Sequence, residues 1–165
     1  MDSTEAPTKR RSEVVLCLVV LGKPVPAGSK RGFPIRGKGG KIHVSVTDAN
    51  AKTKPWQAQI RSEAGEQRQG QQLERGPLAA EVRFYLARPK GHFGKRGLRP
   101  SAPEYPTVKP DATKLWRAVE DALEGVVYAN DAQIVQQDIA KFYGEPERCE
   151  VVLFDLSPQL QAGLL

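Results

Sequence analysis

Residues 109–134, KPDATKLWRAVEDALEGVVYANDAQI, carry the clearest structural pattern in the chain. Apolar side chains recur at helical spacing, and polar side chains fill the opposite face. Asp111 precedes this pattern, and Gly125 follows it as a typical C-terminal stop. The segment therefore predicts an amphipathic helix that begins after Asp111, followed by a reversal of the chain towards Asp131. The predicted apolar stripe comprises Leu115, Ala118, Val119, Ala122, Leu123 and Val126.

The rest of the chain predicts strands and one more helix. Residues 54–67 predict a helix with Pro55 in its first turn. Apolar or alternating runs predict strands at 13–21, 42–46, 78–87, 132–143 and 149–156. The last two strands are expected to pair as a hairpin. The order β-β-α-β-α-β-β predicts an α+β fold, a mixed sheet with two main helices packed on it.

The composition fits one globular domain. The chain has 165 residues, of which 39% are hydrophobic, and this suffices for a sizeable core. No apolar run reaches the ~18–20 residues of a membrane span, and the first residues lack the apolar core of a signal peptide. We therefore expect a cytoplasmic protein with a disordered lead at 1–12, a domain at 13–156 and a tail at 157–165.

The two cysteines predict neither a disulfide scaffold nor a zinc site. Cys17 and Cys149 both lie in apolar, strand-like runs, and we therefore expect buried free thiols. The two histidines are too widely scattered to form a zinc-binding spacing with them.

Positive charge is concentrated in two segments. The chain has a net charge of +6, and residues 22–47 contain six Lys or Arg and no acidic residue. Residues 83–109 contain seven Lys or Arg against Glu104 alone. Both segments are rich in Gly or Pro, so they are interpreted as basic loops that suit phosphate backbones. Solvated loops without a partner are the alternative interpretation.

Asp111 and Asp131 are the candidate functional carboxylates, although each also has a structural interpretation. Asp111 can cap the helix, and Asp131 can belong to an ordinary turn. Asp121 lies ~15 Å beyond Asp111 along a helix, whereas paired metal ions lie only ~3.5–4 Å apart, so these two carboxylates are not expected to share a metal. Lys141 lies ~33 Å from Asp131 along an extended strand, so it is interpreted as a phosphate contact or a surface charge.

Residues 109–144 resemble the core motif of the RusA-type Holliday junction resolvases. That family has Asp-x-Asp-Asn-Leu at a helix start, a Lys one turn on, then Asp-Ala-Leu and Asp-Asp-x-Gln-Val. The chain matches at Asp111, Leu115, Asp121, Ala122, Leu123, Gly125, Asp131 and Gln133, with Ile134 for Val. The resemblance implies a small dimeric endonuclease, of a kind common in bacteriophages, that requires Mg²⁺.

The chain departs from the family motif at four positions. Thr113 replaces the second Asp of the first motif, Lys114 replaces its Asn, and Arg117 replaces the Lys one turn on. Asn130 replaces the first Asp of the later pair. The resemblance implies metal ligation by the Asp111 and Asp131 carboxylates, with neutral oxygens from Thr113 and Asn130, and Mn²⁺ as a substitute for Mg²⁺. Arg117 and Lys114 are expected to carry positive charge to the scissile phosphate, but an Arg cannot serve as a general base.

The resemblance also implies how DNA is bound and cut. Metal-activated water would hydrolyse a phosphodiester, and a dimer would present two sites to the two-fold symmetric strands of a four-way junction. Phe93 and His92 are expected to stack at the junction centre, with anchoring of a long loop as the alternative for Phe93. The expected DNA contacts are Lys30, Arg31, Arg36, Lys38, Lys90, His92, Phe93, Lys95, Arg96 and Lys141.

Two other functions are compatible with the same residues. A junction-binding protein that does not cleave would share the fold and have a degraded metal site at Thr113. A basic protein of unrelated function would have matched the motif by accident. Metal-dependent nicking of a four-way junction distinguishes the enzyme from both.

Overall fold

The computed structural model describes residues 13–28, 30–48 and 50–158, and the predicted lead at 1–12 and tail residues 159–165 lie outside this part. The strands are β1 (Glu13–Leu21), β2 (Lys30–Arg36), β3 (Ile42–Asp48), β4 (Leu78–Leu86), β5 (Phe93–Gly94), β6 (Gly97–Leu98), β7 (Ile134–Tyr143) and β8 (Arg148–Asp155). The helices are α1 (Thr53–Arg68) and α2 (Ala112–Leu123), and single 3-10 turns occupy Lys90–His92 and Asp131–Gln133. Within the described residues, no helix is long and apolar enough to cross a membrane.

A four-stranded mixed sheet forms the centre of the fold, in the order β1-β8-β4-β7. β8 is antiparallel to both β1 and β4, whereas β7 is parallel to β4. Helices α1 and α2 contact each other and pack on the sheet. The α+β fold with a mixed sheet and two helices is therefore confirmed.

The predicted hairpin between β7 and β8 is wrong, because β4 lies between these two strands. The connection crosses the end of β4, where the Gly144 N–H donates to the Leu86 carbonyl at 3.0 Å. β4 occupies the centre because five alternate positions from Leu78 to Leu86 are buried, whereas β7 begins with the exposed residues 135–138. A strand with apolar side chains is stabilised most when it lies between two other strands, whereas a strand with polar side chains is tolerated at the edge of a sheet.

The core lies between the sheet and the two helices. Leu16, Val82 and Phe84 contribute the inner face of the sheet, and Trp56 and Ile60 contribute α1. The buried residues of α2 are Leu115, Trp116, Ala118, Val119, Ala122 and Leu123. Five of the six residues in the predicted stripe are thus buried, Val126 is partly buried, and Trp116 widens the buried face.

The first basic segment contains a β-hairpin where a loop was predicted for residues 22–40. β2 pairs with β3 in antiparallel register from Lys30–Asp48 to Arg36–Ile42, and the Gly37 N–H donates to the Lys41 carbonyl at 2.9 Å. Strand β3 was predicted at 42–46, but β2 was missed because its glycine, proline and lysine disfavour strands. Ile35, Ile42 and Val44 are each more than half exposed.

The cysteines are free, but only one of them is buried. Cys149 on β8 is buried, and burial raises the pKa of its thiol. Cys17 is exposed, contrary to the prediction, because it alternates with the buried Leu16 and Leu18 and so points away from the helices.

Candidate active site

Asp111 occupies the N-cap position of α2 in an extended conformation, with φ −70° and ψ 138°. Its side chain makes no capping hydrogen bond to the helix and is exposed. The Lys114 ammonium lies 3.6 Å from its Oδ2 atom. The structural interpretation of Asp111 as a side-chain cap therefore does not hold, and the carboxylate is accessible beside the positive end of the helix dipole.

Lys141 fixes the segment that leads into Asp111. Its ammonium donates to the Val108 carbonyl at 2.7 Å and to the Pro110 carbonyl at 2.9 Å. The side chain was expected to contact phosphate or solvent, but two of its three N–H groups are engaged within the protein. Lys141 therefore belongs structurally to the Asp111 end of α2, where it bridges β7 and the preceding loop.

The turn that carries Asp131 is fixed by the side chains around it. Asn130 accepts from the Ala132 N–H at 2.9 Å, so its carbonyl oxygen, a predicted metal ligand, already has a capping role. Gln133 accepts from the N–H groups of Ala129 and Asn130, each at 3.0 Å, and donates to the carbonyls of residues 73 and 76. The matched Gln thus has a structural function, because it ties the turn to the linker before β4.

Glu120 is a functional candidate that the sequence analysis did not single out. It lies half-buried on α2, and burial followed by the nearby Asp131 carboxylate raises the pKa of its side chain. Trp116 and Arg117 lower the pKa of Glu120 and so oppose this rise. The indole N–H of Trp116 is buried and has no hydrogen-bond partner of good geometry. The Asp131 charge thus acts on the Glu120 carboxyl near the C-terminal half of α2.

Other groups confirm that this end of α2 is acidic. Glu124 accepts from the backbone N–H of Asp131 at 3.2 Å. Burial raises the pKa of the Tyr128 hydroxyl, and Glu120, Glu124 and Asp131 raise it further. Glu120 lies seven residues after Thr113 and three residues after Arg117, a spacing that places the three side chains on the same side of a helix. This spacing is the sequence signal that could have identified Glu120.

Two clefts open along α2. The first has a volume of about 400 Å³ and is lined by Thr113, Lys114, Trp116, Arg117, Glu120 and Gln137. The second has a volume of about 370 Å³ and borders Asp111, with Lys23, Lys109 and Lys114 among its lining residues. Lys23 and Lys109 are exposed, and they add positive charge beside Asp111 that the sequence analysis did not assign to the site.

The predicted metal ligands separate into two groups. Asp111 and Thr113 lie at the start of α2, whereas Asp131 is hydrogen-bonded to Glu124 just beyond its end. The twelve residues of α2 span about 18 Å. Ligand oxygens of one Mg²⁺ lie within ~4 Å of each other. Ligation of one ion by both carboxylates requires the turn after α2 to return Asp131 towards Asp111, and it stays a prediction.

Carboxylate oxygens near α2 are the donors available to a divalent cation. No cluster of three or more His, Cys, Asp or Glu side chains that could hold a metal occurs among the described residues. Mg²⁺ is commonly held by one or two carboxylates with waters and phosphate oxygens. Glu120 is therefore a further candidate ligand beside the four predicted ones.

Most of the predicted DNA contacts are exposed. Arg36 and Lys38 lie on the β2–β3 hairpin, and Phe93 is 46% exposed on β5. The side chains of Lys30 and Arg31 lie outside the described part of the structure. The exposed cations of the second basic loop are Lys90, Lys95 and Arg96.

His92 is not free to stack on DNA bases as expected. Its ring packs edge-on against Tyr143 with 5.4 Å between centroids, and its Nδ1 atom is buried. Arg88 lies over the same tyrosine ring, 4.5 Å from the centroid. His92 and Arg88 therefore anchor the loop on β7, which leaves Phe93 as the exposed aromatic side chain of β5.

Carboxylates along a helix, beside basic loops and clefts, form an arrangement suited to an enzyme that acts on a phosphodiester backbone. The model of the family described as "Endodeoxyribonuclease RusA" matches residues 22–153, and the chain belongs to this family. A Bacillus subtilis (strain 168) protein described as "Uncharacterized protein YqaN" is 32% identical over 141 residues, which cover 84% of this chain and 94% of that relative. The resemblance found in the sequence is confirmed, and endodeoxyribonuclease is the class of activity that the family implies.

Proposed function

We propose that this protein is a metal-dependent endonuclease that resolves Holliday junctions by paired hydrolysis of phosphodiester bonds. The observation that carries the proposal is the pair of carboxylates, Glu120 and Asp131, next to the cationic Arg117 on α2. Family membership supplies the DNA-cutting activity. Family membership does not give the metal requirement, the Holliday junction as substrate or the dimeric state, and these three belong to the proposal.

In this mechanism the carboxylates of Asp111 and Asp131, together with Glu120, would hold the metal. A bound Mg²⁺ would lower the pKa of a water and offset negative charge in the transition state. Arg117, which stays protonated, would contact the scissile phosphate and stabilise the charge that develops on it. The Thr113 hydroxyl lines the same cleft and can hydrogen-bond to a phosphate oxygen.

The basic loops explain a preference for shape over base sequence. Arg36 and Lys38 on the hairpin, together with Lys90, Lys95 and Arg96 on the second loop, would contact phosphates of the junction arms. Phe93 would stack on bases at an opened junction centre. A homodimer would present two such surfaces and cut two symmetric strands.

A second candidate function is junction binding without cleavage. It is favoured by Thr113, which replaces a family carboxylate. The lack of a cluster of three metal-binding side chains in the described residues of one chain also favours it. In this case the basic loops would act alone, and Asp111 would be a surface charge.

Cleavage of a synthetic four-way junction separates these functions. The assay compares Mg²⁺, Mn²⁺ and chelator, with a linear duplex of matched arm sequence as the control substrate. Paired symmetric nicks that require metal, and that D111N or D131N abolishes while junction binding persists, are the expected result. Tight junction binding without nicks under either metal would instead identify a junction-binding protein.

A further inference from the structure

Two neighbouring clefts beside the start of α2 form one continuous groove. The cleft that borders Asp111 has a volume of about 370 Å³. An adjoining cleft has a volume of about 140 Å³ and includes Tyr143 in its lining. Lys23, Lys109 and Pro110 line both clefts. We call the joined clefts the lysine groove, which extends from Asp111 past Lys23 and Lys109 to Tyr143.

Hydrogen bonds fix the part of the lysine groove that is formed by the segment after β1. The Ala27 N–H donates to the Lys114 carbonyl at 2.8 Å, which ties this segment to α2. The Thr53 hydroxyl donates to the Pro26 carbonyl at 3.0 Å, which ties the same segment to α1. Both helices therefore hold this wall of the groove in place.

The segment before α2 forms a second wall, and β7 holds it. Lys141 donates to the carbonyls of Val108 and Pro110, so the backbone on both sides of Lys109 is fixed. Since both walls are held by hydrogen bonds, the groove is preformed. A ligand that enters a preformed site loses little binding free energy to ordering the protein.

Positive charge is placed where the two clefts meet. Lys23 and Lys109 are exposed there, and each lysine ammonium offers three N–H donors to phosphate oxygens. The carboxylates of the lining already have partners. Asp111 lies 3.6 Å from the Lys114 ammonium, and Glu147 accepts from a backbone N–H of the same cleft at 3.2 Å.

Prolines supply most of the apolar lining of the groove. They are Pro24, Pro26, Pro89, Pro106 and Pro110. Such surface packs against the carbon atoms of a deoxyribose or a base, while the lysines bind the phosphates between them. Sites for one small molecule have volumes of about 300–1,000 Å³, so clefts of this size admit single nucleotides and exclude a double helix.

We propose that the lysine groove binds an unpaired segment of the DNA strand that leads to the cut site. DNA is the expected strand because the chain belongs to an endodeoxyribonuclease family. The inference rests on the proposed function for the position of the cut, whereas binding of an unpaired strand does not require cleavage. It implies that branched substrates with unpaired nucleotides at the branch point are preferred over fully paired ones.

Binding of labelled oligothymidylates, measured by fluorescence anisotropy in chelator, tests the groove without cleavage. Lengths of about 4 to 16 nucleotides cover the range of single-strand sites. Lys23→Met and Lys109→Met should each lower the slope of log affinity against log salt by ~0.7, the value for one phosphate of a single strand. Arg75→Met, an exposed cation of the linker before β4, is the matched control. Slopes equal to wild type in both lysine variants would overturn the proposal.

Crosslinking shows where the strand lies. An oligothymidylate with one 5-iodouracil crosslinks under ultraviolet light to an aromatic side chain nearby, and the expected product is a peptide that contains Tyr143. Crosslinking to Phe93 alone would place the strand on the second basic loop and overturn the proposal. Thymidine monophosphate that competes as well as the oligomer would identify a nucleotide pocket and overturn the strand groove.

A pair of four-way junctions tests the substrate preference, one fully paired and one with unpaired thymidines at the branch point. Wild type should bind the second more tightly, and Lys23→Met should lose this preference while Arg75→Met keeps it. A protein that cuts junctions with metal but lacks the slope changes would refute the groove alone. A protein that shows the slope changes but cuts no junction would refute the proposed function and leave the groove supported.

Discussion

Glu120 illustrates how a single residue can oppose stability and serve a reaction. Its carboxylate is half-buried beside Asp131, and both burial and that charge disfavour the ionised form. A carboxylate in such a place weakens the fold at neutral pH unless a cation binds it. The metal-ligating role proposed for Glu120 would relieve this cost, because a bound cation stabilises the ionised form.

We expect Glu120→Gln to lower metal-dependent cleavage by at least ~100-fold, a loss of the size that follows removal of one preorganised charge-stabilising group. Junction binding is expected to persist, because the basic loops are unchanged. Glu81→Gln, at an exposed position of β4, is the matched control. Equal cleavage by the Glu120 and Glu81 variants would remove Glu120 from the site.

The raised pKa of Glu120 also predicts a pH dependence of stability without metal. A carboxyl whose pKa is raised by folding favours the folded state at low pH, and this contribution is lost as the pH rises through the raised pKa. Glu120→Gln is therefore expected to unfold at higher urea than wild type at pH 7–8, with the difference shrinking in acid. A pH-independent difference in urea midpoint would contradict this cause.

Substitution of Lys141 tests whether its hydrogen bonds position Asp111. Lys141→Met removes the two hydrogen bonds to the carbonyls of Val108 and Pro110, and charge-assisted bonds of this kind contribute ~1.5–3 kcal/mol each. We expect lower stability to urea and a lower kcat at an unchanged KM for junction DNA. Lys54→Met, at an exposed position of α1, should change neither stability nor kcat.

Elements with strong periodicity were predictable, and elements without it were not. The α2 pattern, the KPW helix and the strand at 13–21 each have an apolar face whose spacing fixes the element. The segment of β2, KRGFPIR, lacks such a spacing, so only β3 of the hairpin was predicted. Glu120 lies opposite the predicted apolar stripe, and its partial burial and the effect of Asp131 on it arise from tertiary structure, which periodicity does not reveal.

The return of the chain after α2 depends on a glycine in the left-handed region. Gly125 has φ +76°, and its N–H donates to the Tyr128 carbonyl at 2.8 Å. An added Cβ would meet no atom within 4 Å, so Gly125→Ala is expected to cost only the backbone strain of ~1–2 kcal/mol. Gly91→Ala, which also meets no atom and has an ordinary φ, is the control in the same urea titration.

The β2–β3 hairpin can be tested as a DNA-binding element. Arg36→Glu with Lys38→Glu should weaken junction binding and reduce the slope of log affinity against log salt by ~1 for each phosphate that is no longer neutralised. Because both side chains are exposed, the urea midpoint should stay unchanged. Lys54→Glu on α1 is the control, and an equally weakened binding in it would indicate a general charge effect.

At the scale of the whole molecule, sequence patterns determine which faces are buried but not which elements meet. The parallel pairing of β4 with β7 brings Lys141 to Asp111 and leaves β8 on the other side of β4. These pairings join residues far apart in sequence, so they depend on the relative burial of whole strands. The positions of Asp111 at the start of α2 and of Asp131 beside Glu124 follow from the same topology.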